Sequence, residues 1–229
     1  MSKNVNYYPL GDAALLIDFG ETIAPEINMQ IRQLTIGFID REIPGILEAV
    51  PGYTTLTLHY NPLEISYDRL VDLTNAILEE GYNREIAYLK PKVIPVWYNG
   101  PDLPVVSEHT GLSVEEIIER HTDAEYLVYM IGFAPGFPYL GGMDKILSTP
   151  RRSTPRLKIP AGSVGIAGEQ TGVYPMETPG GWQLIGQTPI ALFDIQREQP
   201  SLLMAGDRVK FAAITEEEYK YFKSHRDGN

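Results

Sequence analysis

The 229-residue sequence contains no cysteine. That excludes disulfides, thiol nucleophiles and cysteine-ligated metals, while leaving the redox compartment unspecified. Histidine is scarce as well. His59, His109, His121 and His225 form no HxH or HExxH pattern, so no protein-bound metal is expected. No apolar run approaches the roughly 18–20 residues of a membrane span. The opening MSKNVNYYPLGD has no apolar stretch of signal-peptide length. The simplest expectation is a cytoplasmic protein with no membrane partner. Positive charge is in short supply: 19 Lys and Arg face 30 Asp and Glu, for a formal net charge of −11. An acidic chain of this kind argues against nucleic acid as a partner. Nucleotide signatures are missing too. The glycines of AGSVGIAGEQTG are interleaved with strand-forming residues and followed by nothing helical, and no Lys-Ser/Thr pair ends the run.

What is present divides the chain. Asp12 to Phe19 reads as a buried strand. Ile27, Ile31, Leu34 and Phe38 then mark one face of a helix that Pro25 can open. Ile46 to Val50 and Thr54 to Tyr60 read as strands joined at Pro51-Gly52. Ser66 caps a second helix, Tyr67 to Glu80, and Arg84 to Leu89 is the last strand of this part. The resulting β-α-β-β-α-β order predicts a small α+β domain over residues 1–90. Beyond Lys90-Pro91-Lys92, Val93 to Tyr98 is a strand. Leu103 to His109 and Val114 to His121 are short helices, the second opened by a Ser113/Glu116 capping box. Glu115, Glu116 and Glu119 on that helix exclude a DNA reader. Strands over 125–131, 163–167, 182–185, 190–193 and 208–212, set among Gly/Pro turns, predict a β-barrel or sandwich over residues 91–229. A polar helix or tail over 216–225 ends the pattern.

Residues 132–189 hold 11 of the 21 glycines and 8 of the 18 prolines. From Lys145 to Gly168 there is no acidic residue, but Lys145, Arg151, Arg152, Arg156 and Lys158 fall there. A guanidinium fork matches a carboxylate or phosphate in bidentate fashion, and flanking prolines stiffen the loop that carries it. An anion site and a solvated basic loop are both open readings. GFAPGFPY either presents Phe133, Phe137 and Tyr139 to a ligand or crosses the barrel end with its aromatics in the core. His121, Glu125, Tyr129 and Tyr174 are candidates for proton transfer or hydrogen bonding. Ser163 lies in AGSVG, outside any GxSxG elbow. No complete acid, base and nucleophile set is visible.

The motifs GFAPGFPYLGG, TPRRSTPRLKIPAGSVGIAG, QTGVYP and TPGGWQLIG, with PGYTTLTLHYNP and the GDRVKF ending, closely resemble the allophanate-hydrolase-subunit-1 family over essentially the whole chain. That resemblance implies a cyclophilin-like barrel after the small α+β domain. It implies one of three roles: the B subunit of an ATP-dependent 5-oxoprolinase that converts 5-oxo-L-proline to L-glutamate, an inhibitor of a sporulation histidine kinase, or half of a urea carboxylase carboxyltransferase. The first is the leading expectation. Its partners would be the paralogous C subunit of the 5-oxoprolinase (allophanate hydrolase subunit 2 type) and the A subunit. ATP would be a co-substrate of the complex, and biotin would enter only in the urea carboxylase alternative. By motif, the implied surface comprises Gly132, Phe133, Pro135, Gly136, Tyr139, Arg151, Arg152, Arg156, Ser163, Gln170, Tyr174, Gly181 and Trp182; Phe137 and Lys158, singled out above from the residues themselves, are further binding candidates. Arg152 and Arg156 are expected as anion clamps, Tyr139 and Tyr174 as hydrogen-bond donors, and His121 or Glu125 as the proton-transfer group. At Gln187 relatives commonly carry Arg or His.

Overall fold

The computed structural model describes residues 5–80 and 90–226. The chain divides into two compact units, Met1–Tyr88 and Leu89–Asn229. Among the described residues no helix is long and apolar enough to cross a membrane. In the first unit, β1 (Asn6–Pro9), β2 (Ala14–Asp18), β3 (Ile46–Pro51) and β4 (Thr55–Tyr60) form an antiparallel sheet in the order β1-β2-β4-β3. Alternation along β2 and β4 buries Leu15, Ile17, Leu56 and Leu58. Helix α1 (Pro25–Asp40) buries Ile27, Ile31, Leu34 and Phe38, and α2 (Tyr67–Glu80) adds Leu70 and Ile77 to the same core. Strand β1 was not expected. It is short, largely exposed and ends in proline, as an edge strand can. The strand expected over 84–89 lies outside the described residues.

The second unit is a nearly closed barrel. Its strands are β5 (Lys92–Val96), β6 (Glu125–Ile131), β7 (Pro138–Gly141), β9 (Ser163–Ala167), β10 (Gln170–Val173), β12 (Gln183–Gln187) and β13 (Arg208–Ala213). Their order is β12-β9-β10-β7-β6-β13-β5. Only β13 and β5 run parallel. Trp97 and Gln187 exchange backbone hydrogen bonds of 2.8 and 2.9 Å and bring the two outer strands together. Val96, Tyr126, Val128, Leu140, Val164, Ile166, Ile185 and Phe211 fill the core. Helices α3 (Leu103–Thr110) and α4 (Val114–Asp123) contribute Val106 and Ile117 to it. The Ser113/Glu116 capping box forms at the start of α4. A two-stranded ribbon, β8 (Arg156–Ile159) with β11 (Thr178–Gly180), stands apart from the barrel sheet, and α5 (Glu216–Arg226) ends the chain.

Four strands within 132–189 were not expected: β7, β8, β10 and β11. Glycine hides β7, β10 and β11, because it usually weakens a strand, while β8 is a four-residue piece between prolines. Here glycine admits aromatic side chains. A Cβ on Gly141 would sit 2.0 Å from the Tyr129 ring, and one on Gly180 would sit 2.5 Å from the Tyr174 hydroxyl. Conversely, residues 190–193 are not a strand. Pro189 has no N–H to offer a ladder, Ile190 N–H turns back to the Thr188 hydroxyl, and Leu192 anchors the segment in the core.

His121 corrects the proton-transfer expectation. It is fully buried in the barrel core, with its ring stacked on Phe211 at 4.5 Å. Thr171 Oγ1 donates to Gly165 O, so His121 Nε2 donates to Thr171 Oγ1 at 2.9 Å. Nδ1 therefore accepts from the Tyr98 hydroxyl at 2.7 Å. The neutral ring is satisfied at both nitrogens and out of reach of substrate. Burial lowers its pKa from 6.5 to about 3. The unfolded chain then binds a proton that the folded chain refuses. Stability from this group is complete above pH 6.5 and is lost as pH falls toward 3, at up to ~1.4 kcal/mol per unit. Urea denaturation between pH 7 and 4.5 should show this slope, and His121→Gln should flatten it.

Candidate functional site

The segment after Leu147 crosses the barrel as a loop, held where Arg152 N–H donates to Gly181 O at 2.7 Å. Its arginines converge on one buried group. Arg152 Nη1 lies 3.0 Å and Arg156 Nη2 lies 2.8 Å from Asp102 Oδ1. Asp102 Oδ2 accepts the Leu184 N–H at 2.7 Å. Asp102 is 2% exposed. It occupies the N-cap position of α3 yet makes no capping bond with its side chain, because both oxygens are spent on the arginines and β12. The approach of this segment to β12 requires Gly100. A Cβ there would fall 2.2 Å from Leu184 O. Arg152 and Arg156 are therefore not the two free clamps expected from the sequence. They share one carboxylate, leaving a single positive charge in excess. Arg152 Nε and Arg156 Nη1 remain buried without a partner.

An aromatic cluster adjoins these arginines. Phe137 makes edge contacts with Tyr139, Tyr174 and Trp182 at centroid distances of 4.8, 5.2 and 5.4 Å. Burial pushes the Tyr174 phenol up to about 12, against a hydrogen bond from the Trp182 backbone and the charge of Arg151, which pull it down. Burial also raises Tyr139, again opposed by Arg151. Both phenols keep their protons at neutral pH. At the edge of the cluster stands Phe133, 63% exposed with φ +68. Ala134 N–H donates to Gly132 O at 2.8 Å around it, which makes a γ-turn of the rare positive-φ kind. Such a conformation costs roughly 1–3 kcal/mol. GFAPGFPY thus divides its aromatics, burying Phe137 and leaving Phe133 exposed. Pro135 is exposed at the turn, and Gly136, at φ +78, packs against Phe193.

On the other side of the basic loop lies a depression of about 330 Å³, lined by α3, residues 149–153 and Gln183. Arg151 lines it and is exposed. Gln183 is 5% exposed and its Nε2 donates to Pro150 O at 2.9 Å. That bond fixes the amide orientation and leaves Oε1 buried without a partner. A buried acceptor in that state costs about 1–3 kcal/mol.

Other expected site residues lie elsewhere. Glu125 pairs with Arg208 at the start of β6. It is seven residues before Gly132, roughly 23 Å along an extended strand at ~3.3 Å per residue. Lys158 pairs with Glu177 at 3.0 Å on the exposed ribbon, a contact of little energetic weight. Ser163 is 1% exposed in β9 and its carbonyl accepts from Tyr174 N–H, so it is a core residue and not a ligand contact. Gln170 stands opposite Ala167 in the β9–β10 pairing, half-buried. Asp102 and Gln183 were missed. An aspartate before a helix reads as a cap, and nothing in the spacing ties it to arginines fifty residues on.

Asp102→Ala leaves two guanidinium groups and a backbone N–H without their partner. It should lower stability by ~3–5 kcal/mol in urea denaturation. Asp102→Asn, which keeps one acceptor oxygen, should lose less.

Residues 5–203 match the family model of the carboxyltransferase domain, subdomain C and D. The chain is 47% identical to the 5-oxoprolinase B subunit of Bacillus subtilis (strain 168), over 93% of this chain and 95% of that one. It is 58% identical to the 5-oxoprolinase B subunit of Haemophilus influenzae, over 90% of this chain and 97% of that one. The crystal structure of TTHA0988 superposes with a TM-score of 0.80 at 39% identity, covering 88% of this chain and 40% of that one. This chain thus spans about 40% of the length of that structure. The near full-length relatives and the family model agree: the chain belongs to the family of the carboxyltransferase domain, subdomain C and D, together with the proteins named as the B subunit of 5-oxoprolinase.

Proposed function

We propose that this chain is the B subunit of an ATP-dependent 5-oxoprolinase, working with a paralogous C subunit and an unrelated A subunit. The complex hydrolyses the lactam of 5-oxo-L-proline. The ring C–N bond breaks, water supplies the new carboxylate oxygen, and L-glutamate is released as ATP is hydrolysed. The observation that carries this reading is the similarity, at 42–58% identity and near full length, to three proteins named as 5-oxoprolinase B subunits. The site chemistry supports it. Substrate and product are small carboxylates, and the Arg151–Arg156 segment offers guanidinium groups beside two protonated phenols. Such donors bind an anion and stabilise charge that develops on a carbonyl oxygen. The proton-transfer groups expected from the sequence are not offered here, because His121 is sealed in the core and Glu125 is paired with Arg208, although exposed His109 lines the neighbouring depression. A chain with binding groups and no complete proton-transfer set fits a component whose reaction is finished by groups on its partners.

Purified with its A and C partners, the chain should support ADP release that depends on 5-oxo-L-proline, and it should show none alone. An assembled complex without such ADP release would refute the assignment. Within an active complex, Arg156→Ala should lower kcat/KM by about tenfold or more, because the ribbon loses the charge-assisted bond that fixes it to Asp102 beside the site.

A further inference from the structure

The depression beside α3 has the chemistry of a binding site that the expected clamps do not provide. Arg151 reaches it and, unlike Arg152 and Arg156, has no carboxylate partner among the described residues. Arg152 also lines it, with Nε buried and unpartnered. Opposite in character is Gln183 Oε1, a buried acceptor with no donor. Its amide cannot turn to change that, because Nε2 is committed to Pro150 O. Cationic donors beside a lone acceptor are complementary to an anion with an N–H next to it. The volume, about 330 Å³, is near the lower end of ligand pockets at roughly 300–1,000 Å³, and suits a small molecule.

We propose that this depression is a subsite for a small carboxylate whose neighbouring atom bears an N–H, with Arg151 taking the carboxylate and Gln183 Oε1 accepting the N–H. The identity of the ligand rests on the 5-oxoprolinase reading; the chemistry of the site does not. In 5-oxo-L-proline the carboxylate-bearing carbon is bonded to the lactam nitrogen, so both features lie on one edge. Bound by that edge, the substrate places its reacting carbonyl next to the nitrogen that Gln183 holds, on the side away from the carboxylate. The same edge survives ring opening, since L-glutamate retains the nitrogen next to the α-carboxylate. The subsite therefore holds the part of the molecule that the reaction leaves in place.

The assembled complex provides the test, with 5-oxo-L-proline and its N-methyl derivative as substrates. Arg151→Ala should raise KM for 5-oxo-L-proline about tenfold or more, chiefly in KM and not kcat, and Arg151→Lys should recover part of the loss. The wild type should disfavour the N-methyl compound by about tenfold or more, and Gln183→Leu should abolish that preference. An unchanged KM in Arg151→Ala, or an N-methyl penalty that persists in Gln183→Leu, overturns the subsite. Absence of any 5-oxo-L-proline turnover by the wild-type complex overturns the enzymatic reading instead. The subsite is then judged by NMR titration of the full chain with N-acetylglycine and N-acetylsarcosine, which differ in the N–H. Shifts near Arg151 and Gln183 with the first alone support it. Equal responses, or none, refute it.

Discussion

Much of the barrel's functional face depends on one buried carboxylate. Asp102 binds a basic loop through Arg152, a separate ribbon through Arg156 and a barrel strand through the Leu184 N–H. A charge so deeply enclosed is tolerated only when its partners are charged and its lone pairs are filled, and here both conditions hold. Loop, ribbon and barrel meet at a single residue. The arginines are fixed in direction before any ligand arrives, which lowers the entropy lost on binding. The same arrangement divides labour along the loop, since Arg152 and Arg156 serve the scaffold while neighbouring Arg151 stays exposed.

Much of the architecture was legible because it rests on periodicity. The spacing of Ile27, Ile31, Leu34 and Phe38 fixed the face of α1, and alternation through Leu56 and Leu58 fixed that of β4. Local chemistry was equally readable where both partners are close in sequence, as in the Ser113/Glu116 capping box. Within 132–189, β9 and β12 were readable, but β7 and β11 were hidden, since glycines that admit Tyr129 and Tyr174 look like turn residues until the rings that fill the space are known.

The candidate site was legible as a region and misread in its parts. Basic charge, stiffening prolines and aromatics located the surface. The roles of individual residues depend on long-range pairing that spacing does not record. Asp102 turns two expected clamps into positioned supports, and burial turns His121 from an acid–base candidate into a hydrogen-bonded core residue. Gln183 looked like one more strand residue. Only its amide geometry, one end held by Pro150 and the other left open, marks it.

The parallel pairing of β5 with β13 has a consequence for how the chain is made. Lys92 and Val209 are register partners although more than a hundred residues separate them. The first strand of the barrel must wait for nearly the whole unit to leave the ribosome before its neighbour exists. Closure through such distant contacts is slow and leaves hydrophobic strands uncovered in the interval. The α+β unit is not subject to that delay, since its described strands and helices lie within residues 6–80. Synthesis therefore favours a folded leading unit tethered to an unfinished barrel, and the last strand to appear completes the fold.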